Sequence, residues 1–537
     1  ARAHAYLDDV FVVIDSRFAA EAVAVTREAL QGIGLELQLA KSKLWVPSPA
    51  VPMPAQVDIQ RVNELRCLGN AMRFTTAALD EDDQHRLGAP LVPDSRFQAS
   101  LEALDAFPGR ARALLAAGLR VQTAFTLLRT FVGGANNHLL RGCFANEEWR
   151  EEYDGRVVAF LEQLLGAQLT LQQQRLLWLP CRVGGLGLQS ARLTRSAAYI
   201  ASWQQCLSDV AAARGSRSAD ALLAGAPRTG ATLTVAGDEL RRLGCRNYQA
   251  DWAACFVASR AKQQKALMKH ISAECRKTLL RDLEVSGRAD LRSAGDKGGA
   301  FLLPPTKKSH LLPDEHFMVA VRLRLQLPHP GALGARPPAS TCGHRSSQLG
   351  HRCNCAVDGR GHHALTCEVG GGVVRRHDSI RDWLAAWIAG VTGAPVLTEQ
   401  FVPKWDRVVE VDGEEQTERA RLDVVFNDQN AQRAYVDVCV PAASSTCPEL
   451  LRARAARDGA AAARAEDGKR LRYPGPDLVP FAIEALGRPG DDAVTLLRAC
   501  APEDPVERSR VLGSAWQSLS ALLQTRNAEL LLAAESA

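Results

Sequence analysis

Three cysteines and a histidine stand close together in the C-terminal half of the chain, and this cluster restricts the fold more than any other feature. They fall within fifteen residues that also contain Gly359 and Gly361. Three thiolates and one imidazole form the ligand set of a closed tetrahedral zinc site, and such a site can order a short loop that has little core of its own. The predicted ligands are Cys353, Cys355, His362 and Cys367.

Alternative ligands lie close to the predicted four. A single residue separates Cys353 from Cys355, which is tighter than the roughly two to four residues usual in zinc fingers. His363 adjoins His362 and is an alternative imidazole ligand. Other candidate donors close in sequence are Cys342, His344 and His351. Free cysteines in a polar loop are the alternative to a metal site.

Two aspartates lie inside strands predicted downstream of the cluster. Apolar runs predict strands over 421–426 and 434–440, joined by a polar segment. If Phe426 and Ala434 close this hairpin, Asp423 lies opposite Asp437. Aspartate is disfavoured in strands and like charges across a ladder repel, so a divalent cation between the two would remove both objections. An acidic pair on a solvated face is the alternative, but the neighbouring residues are mostly apolar.

The surrounding sequence predicts further elements of an α/β domain. A helix is expected to begin at Asp378, because apolar residues follow at helical spacing. A strand over 395–402 carries Glu399. An alanine- and arginine-rich helix is predicted over 450–470, and a closing strand over 478–486.

A second acidic pair, Asp8 and Asp9, interrupts an apolar run near the first residue. Two acids between apolar strands suit the turn of a hairpin, where both carboxylates project to one end and can hold a divalent cation. Such a pair is also an ordinary turn former. An amphipathic helix is predicted next, from about residue 19 to residue 33.

The N-terminal motifs resemble the palm of a reverse transcriptase of the non-LTR retrotransposon kind. The resemblance implies that Asp8 and Asp9 belong to the catalytic hairpin, with Asp8 as a metal ligand, and that Lys41 lies near the phosphates of the incoming nucleotide. The motifs that carry it are Tyr6-Leu7-Asp8-Asp9, the segment around Lys41, and Leu68-Gly69, which looks like the primer-grip turn.

The resemblance also implies what should stand before and after these motifs. Such a palm needs a further aspartate from an earlier strand, which would lie before residue 1. We therefore expect the chain to be the C-terminal part of a longer reading frame, with an incomplete RNA-directed DNA polymerase. Gln38 stands where asparagine is more usual. Segment 179–188 is similar to the region after the thumb, and its glycines predict a tight turn with close backbone packing.

From the cysteine cluster onwards the chain resembles site-specific non-LTR retrotransposons whose endonuclease is restriction-enzyme-like. The resemblance implies a PD-(D/E)xK fold in which Asp423 and Asp437 bind Mg²⁺ and Lys469, on the following helix, assists the attacking water. The motifs are the Cys/His cluster, Gly370-Gly371-Gly372 and Arg376-His377-Asp378.

In this region one expected contact has two candidate residues, and two positions depart from the family pattern. Arg376 or His377 is a candidate contact to the scissile phosphate, although both could equally cap the predicted helix. Leu422 replaces the proline of the motif, and Cys439 occupies the position where the lysine would usually stand.

The formal net charge of +5 conceals a basic tract. From residue 256 to residue 352 there are 17 lysines and arginines against 7 acids. Such a tract leading into a metal cluster is typical of a surface that binds a nucleic-acid backbone. Solvated helix faces are the alternative.

Length and composition exclude several classes of protein. A chain of 537 residues exceeds one ordinary domain. No apolar run reaches the roughly 18 residues of a membrane span, and the N-terminus lacks the layout of a signal peptide. The 14 cysteines are scattered outside the cluster, unlike a disulfide scaffold. We expect a soluble protein of an intracellular, reducing compartment, and the resemblance implies the nucleus.

The predicted fold is multidomain, α/β and α. The resemblance implies target-primed reverse transcription: the intact protein nicks chromosomal DNA and uses the 3′ hydroxyl to prime copying of its own RNA. Target DNA and the element's RNA are the expected partners, and Zn²⁺ and Mg²⁺ the expected metals. A non-catalytic nucleic-acid-binding remnant of a decayed or repurposed element is the alternative. The predicted parts are a partial palm (1–80), a helical thumb (81–205), a basic connector (206–340), a zinc knuckle (341–370), a restriction-like endonuclease (371–495) and a C-terminal helix (496–537).

Overall fold

A computed structural model shows a mixed α/β protein that is mostly helical and has one small four-stranded sheet. Within the described part of the chain, no helix has both the length and the apolar character needed to cross a bilayer. The described residues are 2–6, 9–13, 16–45, 59–62, 65–67, 70–72, 95–257, 262–328, 341–346, 350–411, 414–429 and 431–535.

The N-terminal part consists of short strands and one helix. Strands lie on both sides of the predicted aspartate pair and run antiparallel, with Tyr6 opposite Asp9, in agreement with the predicted hairpin. Asp8 and the predicted primer-grip turn at 68–69 lie outside the described residues. The elements are β1 (Arg2–Tyr6), β2 (Asp9–Val13), α1 (Ala19–Gly32), β3 (Lys43–Trp45), β4 (Gln60–Val62), β5 (Leu65–Cys67) and β6 (Asn70–Met72).

The described residues between 95 and 327 form a helical region with several apolar cores. One of these cores contains Phe125 and Leu177 from the predicted thumb together with Phe301 and Phe317 from the predicted connector. The core therefore runs across the predicted boundary at residue 205. The helices are α2 (Ser95–Ala116), α3 (Val121–Leu127), α4 (Gly133–Gly142), α5 (Glu147–Leu165), α6 (Leu171–Trp178), α7 (Ala191–Arg214), α8 (Ala219–Ala224), α9 (Pro227–Arg242), α10 (Trp252–Val257), α11 (Gln263–Asp282), α12 (Val285–Ser293) and α13 (Asp314–Arg324).

The glycine-rich segment between α6 and α7 makes a tight turn against its own helix. Gly184 has a φ of 103°, which a residue with a side chain rarely adopts. A Cβ at Gly185 would lie 2.1 Å from the carbonyl oxygen of Leu179, so no larger residue fits there. The close backbone packing predicted for these glycines is confirmed.

A buried turn over Asp296–Leu302 joins three parts of the chain. A Cβ at Gly298 would lie 2.7 Å from the carbonyl oxygen of Leu486, and one at Gly299 would lie 2.8 Å from that of Cys181. The Ser520 hydroxyl accepts a hydrogen bond from the Phe301 N–H and donates one to the Gly298 carbonyl. Glycine is therefore required where the helical region, the C-terminal sheet domain and the last helix meet.

The C-terminal region contains a four-stranded sheet in the order β12-β11-β10-β7. Strands β11 and β12 are parallel, and the other pairs are antiparallel. Strands lie at all four predicted places, but the closing strand ends at Ala482 and not at residue 486, and the β8–β9 hairpin was not predicted. The elements are α14 (His362–Thr366), α15 (Gly372–Thr392), β7 (Val396–Phe401), β8 (Arg407–Val411), β9 (Glu414–Glu418), β10 (Arg421–Asn427), β11 (Arg433–Cys439), α16 (Pro448–Ala456), α17 (Ala460–Arg472), β12 (Leu478–Ala482), α18 (Asp491–Cys500) and α19 (Pro505–Glu535).

The sheet is covered by apolar residues on both faces. Ile380 and Leu384 of α15 belong to one core with Val424 and Val436 of the central strands. Leu422, Val425 and Trp405 belong to a second, smaller core. Because successive strand residues point to opposite faces, this double coverage explains the nearly continuous apolar runs in β10 and β11.

Two predicted helices differ from those observed. Helix α15 begins at Gly372 rather than at Asp378, so the Arg376-His377-Asp378 motif lies within the helix and does not cap it. The helix predicted over 450–470 is two helices, because Gly459 has a φ of 73° at the junction. The second helix, α17, carries Lys469.

We predict that replacing Gln122 with leucine strongly destabilises the helical region. This buried amide donates to the carbonyls of Phe301 and His310 and accepts from the N–H of Leu312, each at 2.9 Å. Each buried group left unpaired costs about 1–3 kcal/mol, so we expect a loss of at least about 3 kcal/mol. Thermal unfolding followed by circular dichroism measures it.

The matched control is Gln172→Leu. Gln172 is exposed and makes one hydrogen bond, to the Asp282 carbonyl at 2.9 Å. We expect this variant to change the free energy of unfolding by less than about 0.5 kcal/mol. Equal melting temperatures for the two variants would contradict the structural role of Gln122.

Candidate metal centres and active site

The two strand aspartates lie opposite each other at the centre of the sheet. The β10–β11 register places Phe426 opposite Ala434 and Val424 opposite Val436, as predicted. One further step along this register brings Asp423 opposite Asp437. Asp423 is 8% exposed and Asp437 5%, so two carboxylates are buried side by side. Burial and mutual repulsion both disfavour this arrangement unless cations or hydrogen bonds compensate.

Asp423 is compensated by His377 of α15 and by a backbone group. The His377 Nε2 lies 3.1 Å from Asp423 Oδ2, and the Val438 N–H donates to the same oxygen at 2.7 Å. The hydrogen bond to Asp423 raises the pKa of His377 to about 9, so the ring is protonated at neutral pH. Burial pushes the pKa of Asp423 upward, but His377 and the Val438 N–H together hold it below its usual value.

Asp437 is compensated by Lys469 of α17. The Lys469 Nζ lies 2.8 Å from Asp437 Oδ2 as an ion pair. At this distance the ammonium makes a charge-assisted contact with Oδ2, although its angle departs from ideal hydrogen-bonding geometry. Burial raises the pKa of Asp437 to about 6 against the attraction of Lys469, and Asp423 adds to the rise. Asp437 is therefore held by one cationic side chain, and a further positive charge beside it would favour its ionised form.

Arg376 does not reach this site, which corrects the predicted phosphate contact. It is 4% exposed, and its Nη1 donates to Asn527 Oδ1 of α19 at 2.9 Å. Its neighbour His377 is the residue of the motif that contacts Asp423. The difference arises because the motif lies inside α15, where consecutive side chains point in directions about 100° apart. Arg376 thus holds α19 against α15.

Cys439 is the last residue of β11, opposite Ala482 of β12, and is half-buried near the carboxylates. Burial raises its pKa to about 12, so it is an uncharged thiol at neutral pH. The cation beside Asp437 is Lys469 of α17, whose Nζ lies 2.8 Å from Oδ2. The catalytic role expected for Lys469 stays a prediction.

A third acid, Glu399, stands opposite Asp423 on the neighbouring strand. The β7–β10 register pairs Leu422 with Gln400 and Val424 with Thr398, and skips the position between them. Glu399 has a φ of 57° at this point, which a residue with a side chain rarely adopts. Its carboxylate is held by Arg381 and by Arg421, the latter at 2.8 Å. Glu399 is thus already paired.

The carboxylate pair fits a magnesium ion in its chemistry. Mg²⁺ is commonly bound through one or two carboxylates, with water and substrate phosphate as the remaining ligands. Asp423 and Asp437 supply carboxylate oxygens of this kind, with His377 3.1 Å from Asp423 Oδ2 and Lys469 2.8 Å from Asp437 Oδ2.

In the predicted palm, Asp9 begins β2 and Lys41 is exposed in a short 3-10 turn.

A second candidate metal centre lies at the Cys/His cluster. Ligand atoms of four residues lie within 4.8 Å of one another: Cys342, Cys353, His363 and Cys367. The Cys342 and Cys367 sulfurs are 3.9 Å apart, close to the separation of about 3.8 Å expected for two sulfurs on one tetrahedral zinc ion. The Cys353 sulfur is 3.3 Å from His363 Nε2. Three thiols and one imidazole in this arrangement are compatible with zinc.

Two predicted zinc ligands are replaced by neighbours. Bridges between Thr341 and Ala356 and between Arg345 and Arg352 bring the segment around Cys342 beside Cys353. Cys355 is exposed and lies outside the cluster.

The predicted imidazole, His362, is held elsewhere. Its Nε2 lies 3.0 Å from Asp290 of α12, and its Nδ1 lies 3.3 Å from Asp358. His363, the next residue of α14, is the one that faces the thiols. His363 and Cys342 are neighbouring candidates in the sequence, but ligand spacing alone does not select them.

A scan against protein-family models finds no model that matches the chain. A search of curated proteins also finds no match. The function proposed below is therefore supported by the residues of this chain and by the motifs that they form.

We predict that zinc content distinguishes the observed ligand set from the one expected by spacing. Cys342→Ser and His363→Ala each remove one of the four clustered ligands and should sharply lower the one zinc expected per chain. Cys355→Ser and His362→Ala are the matched controls and should retain zinc. Atomic emission on the dialysed 537-residue chain measures the ratio. Zinc loss in Cys355→Ser, but not in Cys342→Ser, would favour the spacing-based set.

We also predict that Asp437→Asn gains stability relative to the wild type as the pH rises. Because folding raises the pKa of Asp437 from 3.8 to about 6, its contribution to stability is fully present below pH 3.8 and is lost as the pH rises through 6. This difference corresponds to about 3 kcal/mol at pH 8. Asparagine does not titrate.

Melting temperatures in EDTA at pH 5 and pH 8 test this dependence. The melting temperature of Asp437→Asn minus that of the wild type should be larger at pH 8. Asp467→Asn, an exposed change on α17, should give the same difference at both pH values. A pH-independent difference for Asp437→Asn would mean that the Asp437 carboxyl is not destabilised by burial.

Proposed function

We propose that this protein cleaves DNA as a Mg²⁺-dependent endonuclease at Asp423, Asp437 and Lys469. The observation that carries the proposal is the pair of opposed, buried aspartates, each beside a cationic side chain from a different helix. Structural ion pairs rarely place two acids opposite each other inside a sheet, because their repulsion opposes folding. Sites with this strained arrangement are candidates for catalysis.

In the proposed reaction a water molecule attacks a phosphodiester phosphorus. The P–O3′ bond breaks, the 3′ oxygen takes up a proton, and a 3′ hydroxyl and a 5′ phosphate remain. Asp423 and Asp437 would hold the metal, which when bound supplies positive charge to the attacked phosphate and lowers the pKa of the attacking water. The residues of the chain fix the geometry and the surrounding charge.

Lys469 and His377 have separate tasks in this mechanism. The Lys469 ammonium, already beside Asp437, stabilises negative charge on the phosphate or orients the water. The protonated His377 keeps Asp423 ionised, through a contact of 3.1 Å, and so keeps it available as a ligand. His377 itself is oriented by Asp378, whose Oδ1 lies 3.3 Å from Nδ1.

The resemblance of the sequence motifs extends the proposal beyond the nuclease. We infer that the chain belongs to a non-LTR retrotransposon protein that nicks target DNA in the nucleus and copies its own RNA from the nick. The zinc cluster and the basic helices α11 and α12 would then help to bind nucleic acid. Asp8, Asp9 and Lys41 would belong to its polymerase palm.

One observation favours a second function, nucleic-acid binding without cleavage. His377 and Lys469 already compensate both carboxylates, so the site can be stable without a metal. A decayed or repurposed element would keep the fold, the zinc cluster and the basic helices in this way.

The nicking of supercoiled plasmid by the full chain distinguishes the two functions. We expect Mg²⁺-dependent nicking that Asp437→Asn and Lys469→Met each lower at least about 100-fold, because a metal ligand or the compensating charge is lost. Asp467→Asn, an exposed aspartate on the helix that carries Lys469, is the matched control and should remain within about twofold of the wild type. Duplex binding is measured in parallel by fluorescence anisotropy.

Two results would contradict the nuclease. If the wild type binds duplex DNA but never nicks it with Mg²⁺ or Mn²⁺, the binding function replaces it. If Asp437→Asn nicks as fast as the wild type while remaining folded, the carboxylate pair is not the active site.

A further inference from the structure

A cleft of about 900 Å³ lies in the helical region, separate from both metal centres. All of its lining residues lie between 129 and 303, so none comes from the sheet domain or the Cys/His cluster. Helices α5, α6, α7, α9 and α11 contribute its walls. Nothing in the proposed nuclease mechanism uses this cleft.

The lining of the cleft carries a surplus of positive charge. Six arginines and three glutamates line it. Glu239 is neutralised inside the wall by Arg150 and by Arg195, whose Nη2 lies 2.9 Å away. Glu147 also pairs with Arg150, and Glu274 lies 3.8 Å from Lys277. The acids of the cleft are thus already paired.

Two of the arginines are available to a ligand. Arg192 of α7 and Arg242 of α9 are exposed, and neither has a carboxylate at ion-pair distance among the described residues. Arg129 lies in the same lining and donates to Cys181 Sγ at 3.2 Å, a weak acceptor. Guanidinium groups from different helices that face one cleft suit successive phosphates.

The remaining walls offer surfaces for bases. Trp178 is half-buried in the lining, beside Leu243 and Met268. Ser272 of α11 also lies in the lining; its hydroxyl donates to the Met268 carbonyl at 2.7 Å and can accept a hydrogen bond from a ligand. A duplex hides the faces of its bases, whereas a single strand presents them to aromatic and apolar side chains. The combination of cationic and apolar walls therefore fits a single strand.

We propose that this cleft binds a short single-stranded segment of nucleic acid, with Arg192 and Arg242 on its phosphates and Trp178 against a base. The choice of ligand rests on the proposed nucleic-acid-cleaving function, but the site itself does not. RNA and DNA strands share the phosphates and base faces that this chemistry recognises. A volume of about 900 Å³ is sufficient for only a few nucleotides, so the cleft would hold a segment of a longer strand.

Fluorescence anisotropy with the full chain tests the proposal, using labelled 12-nucleotide RNA, 12-nucleotide DNA and a DNA duplex of the same sequence. We expect Arg192→Ala/Arg242→Ala to weaken binding of at least one single strand about tenfold. The slope of log affinity against log salt should fall by about 1.4, as expected for two lost phosphate contacts on a single strand. The RNA and DNA arms show which strand the cleft prefers.

The matched control is Arg110→Ala/Arg217→Ala, which removes the same charge from two exposed positions outside the lining. It should bind each strand within about twofold of the wild type. An equal loss of affinity in both double variants would mean that net charge causes the effect, and it would overturn the proposal that the cleft binds the strand.

Alkylation by N-ethylmaleimide gives a second readout that does not depend on substitution. Cys275 lies in the lining, whereas Cys206 lies outside it, and both are half-buried. Burial raises the pKa of both thiols. A saturating single strand should slow modification of Cys275 at least threefold and leave Cys206 unchanged, as followed by mass spectrometry. Equal rates at Cys275 with and without the strand would overturn the proposal.

Plasmid nicking by the same wild-type preparation separates this proposal from the nuclease. If the chain nicks plasmid but binds neither single strand, the proposal for the cleft is overturned and the nuclease proposal stands. A chain that protects Cys275 with a single strand but never nicks plasmid supports the cleft and overturns the nuclease.

Discussion

The burial of two carboxylates opposite each other in one sheet determines what the rest of the C-terminal domain must supply. Neither acid can be ionised there without compensation, because burial and mutual repulsion act in the same direction. His377 of α15 compensates Asp423, and Lys469 of α17 compensates Asp437. In the sequence, strands β7 to β11 lie between these two helices. Both carboxylates can therefore be ionised only when α15 and α17 are held in these positions.

The position of α17 in turn depends on the helical region. Asp458, just before α17, is held by Arg276 of α11 at 2.7 Å and by Arg292 of α12 at 2.6 Å. At the start of α17, the buried Glu484 accepts from the N–H groups of Ala461 and Ala462. A carboxylate at a helix N-terminus is favoured by the unpaired N–H groups there. The basic tract thus includes arginines that position the helix carrying Lys469.

Local pattern was sufficient to predict the strands and the opposed aspartates, because alternation and hairpin closure fix the register between neighbours. It failed where a contact joins distant parts of the chain. Cys342 joins the metal cluster through bridges between 341–345 and 352–356, which no ligand spacing encodes. Arg376 and His377 were equivalent candidates until the start of α15 fixed their directions. The predicted connector carries buried apolar residues that spacing did not assign to the thumb core.

Glu399 shows how the sheet limits the ligands of the proposed site to two. By register it would be the third acid beside Asp423, but its backbone leaves the ladder and its carboxylate is held by Arg381 and Arg421. A third carboxylate beside these two would add repulsion, and the pairing of Glu399 with Arg381 and Arg421 offsets it. With only two protein carboxylates, a bound Mg²⁺ would take its remaining ligands from water and from the phosphate of the substrate. In the proposed enzyme, firm metal binding would therefore require DNA, so that the metal site is complete only when there is a phosphodiester to cleave.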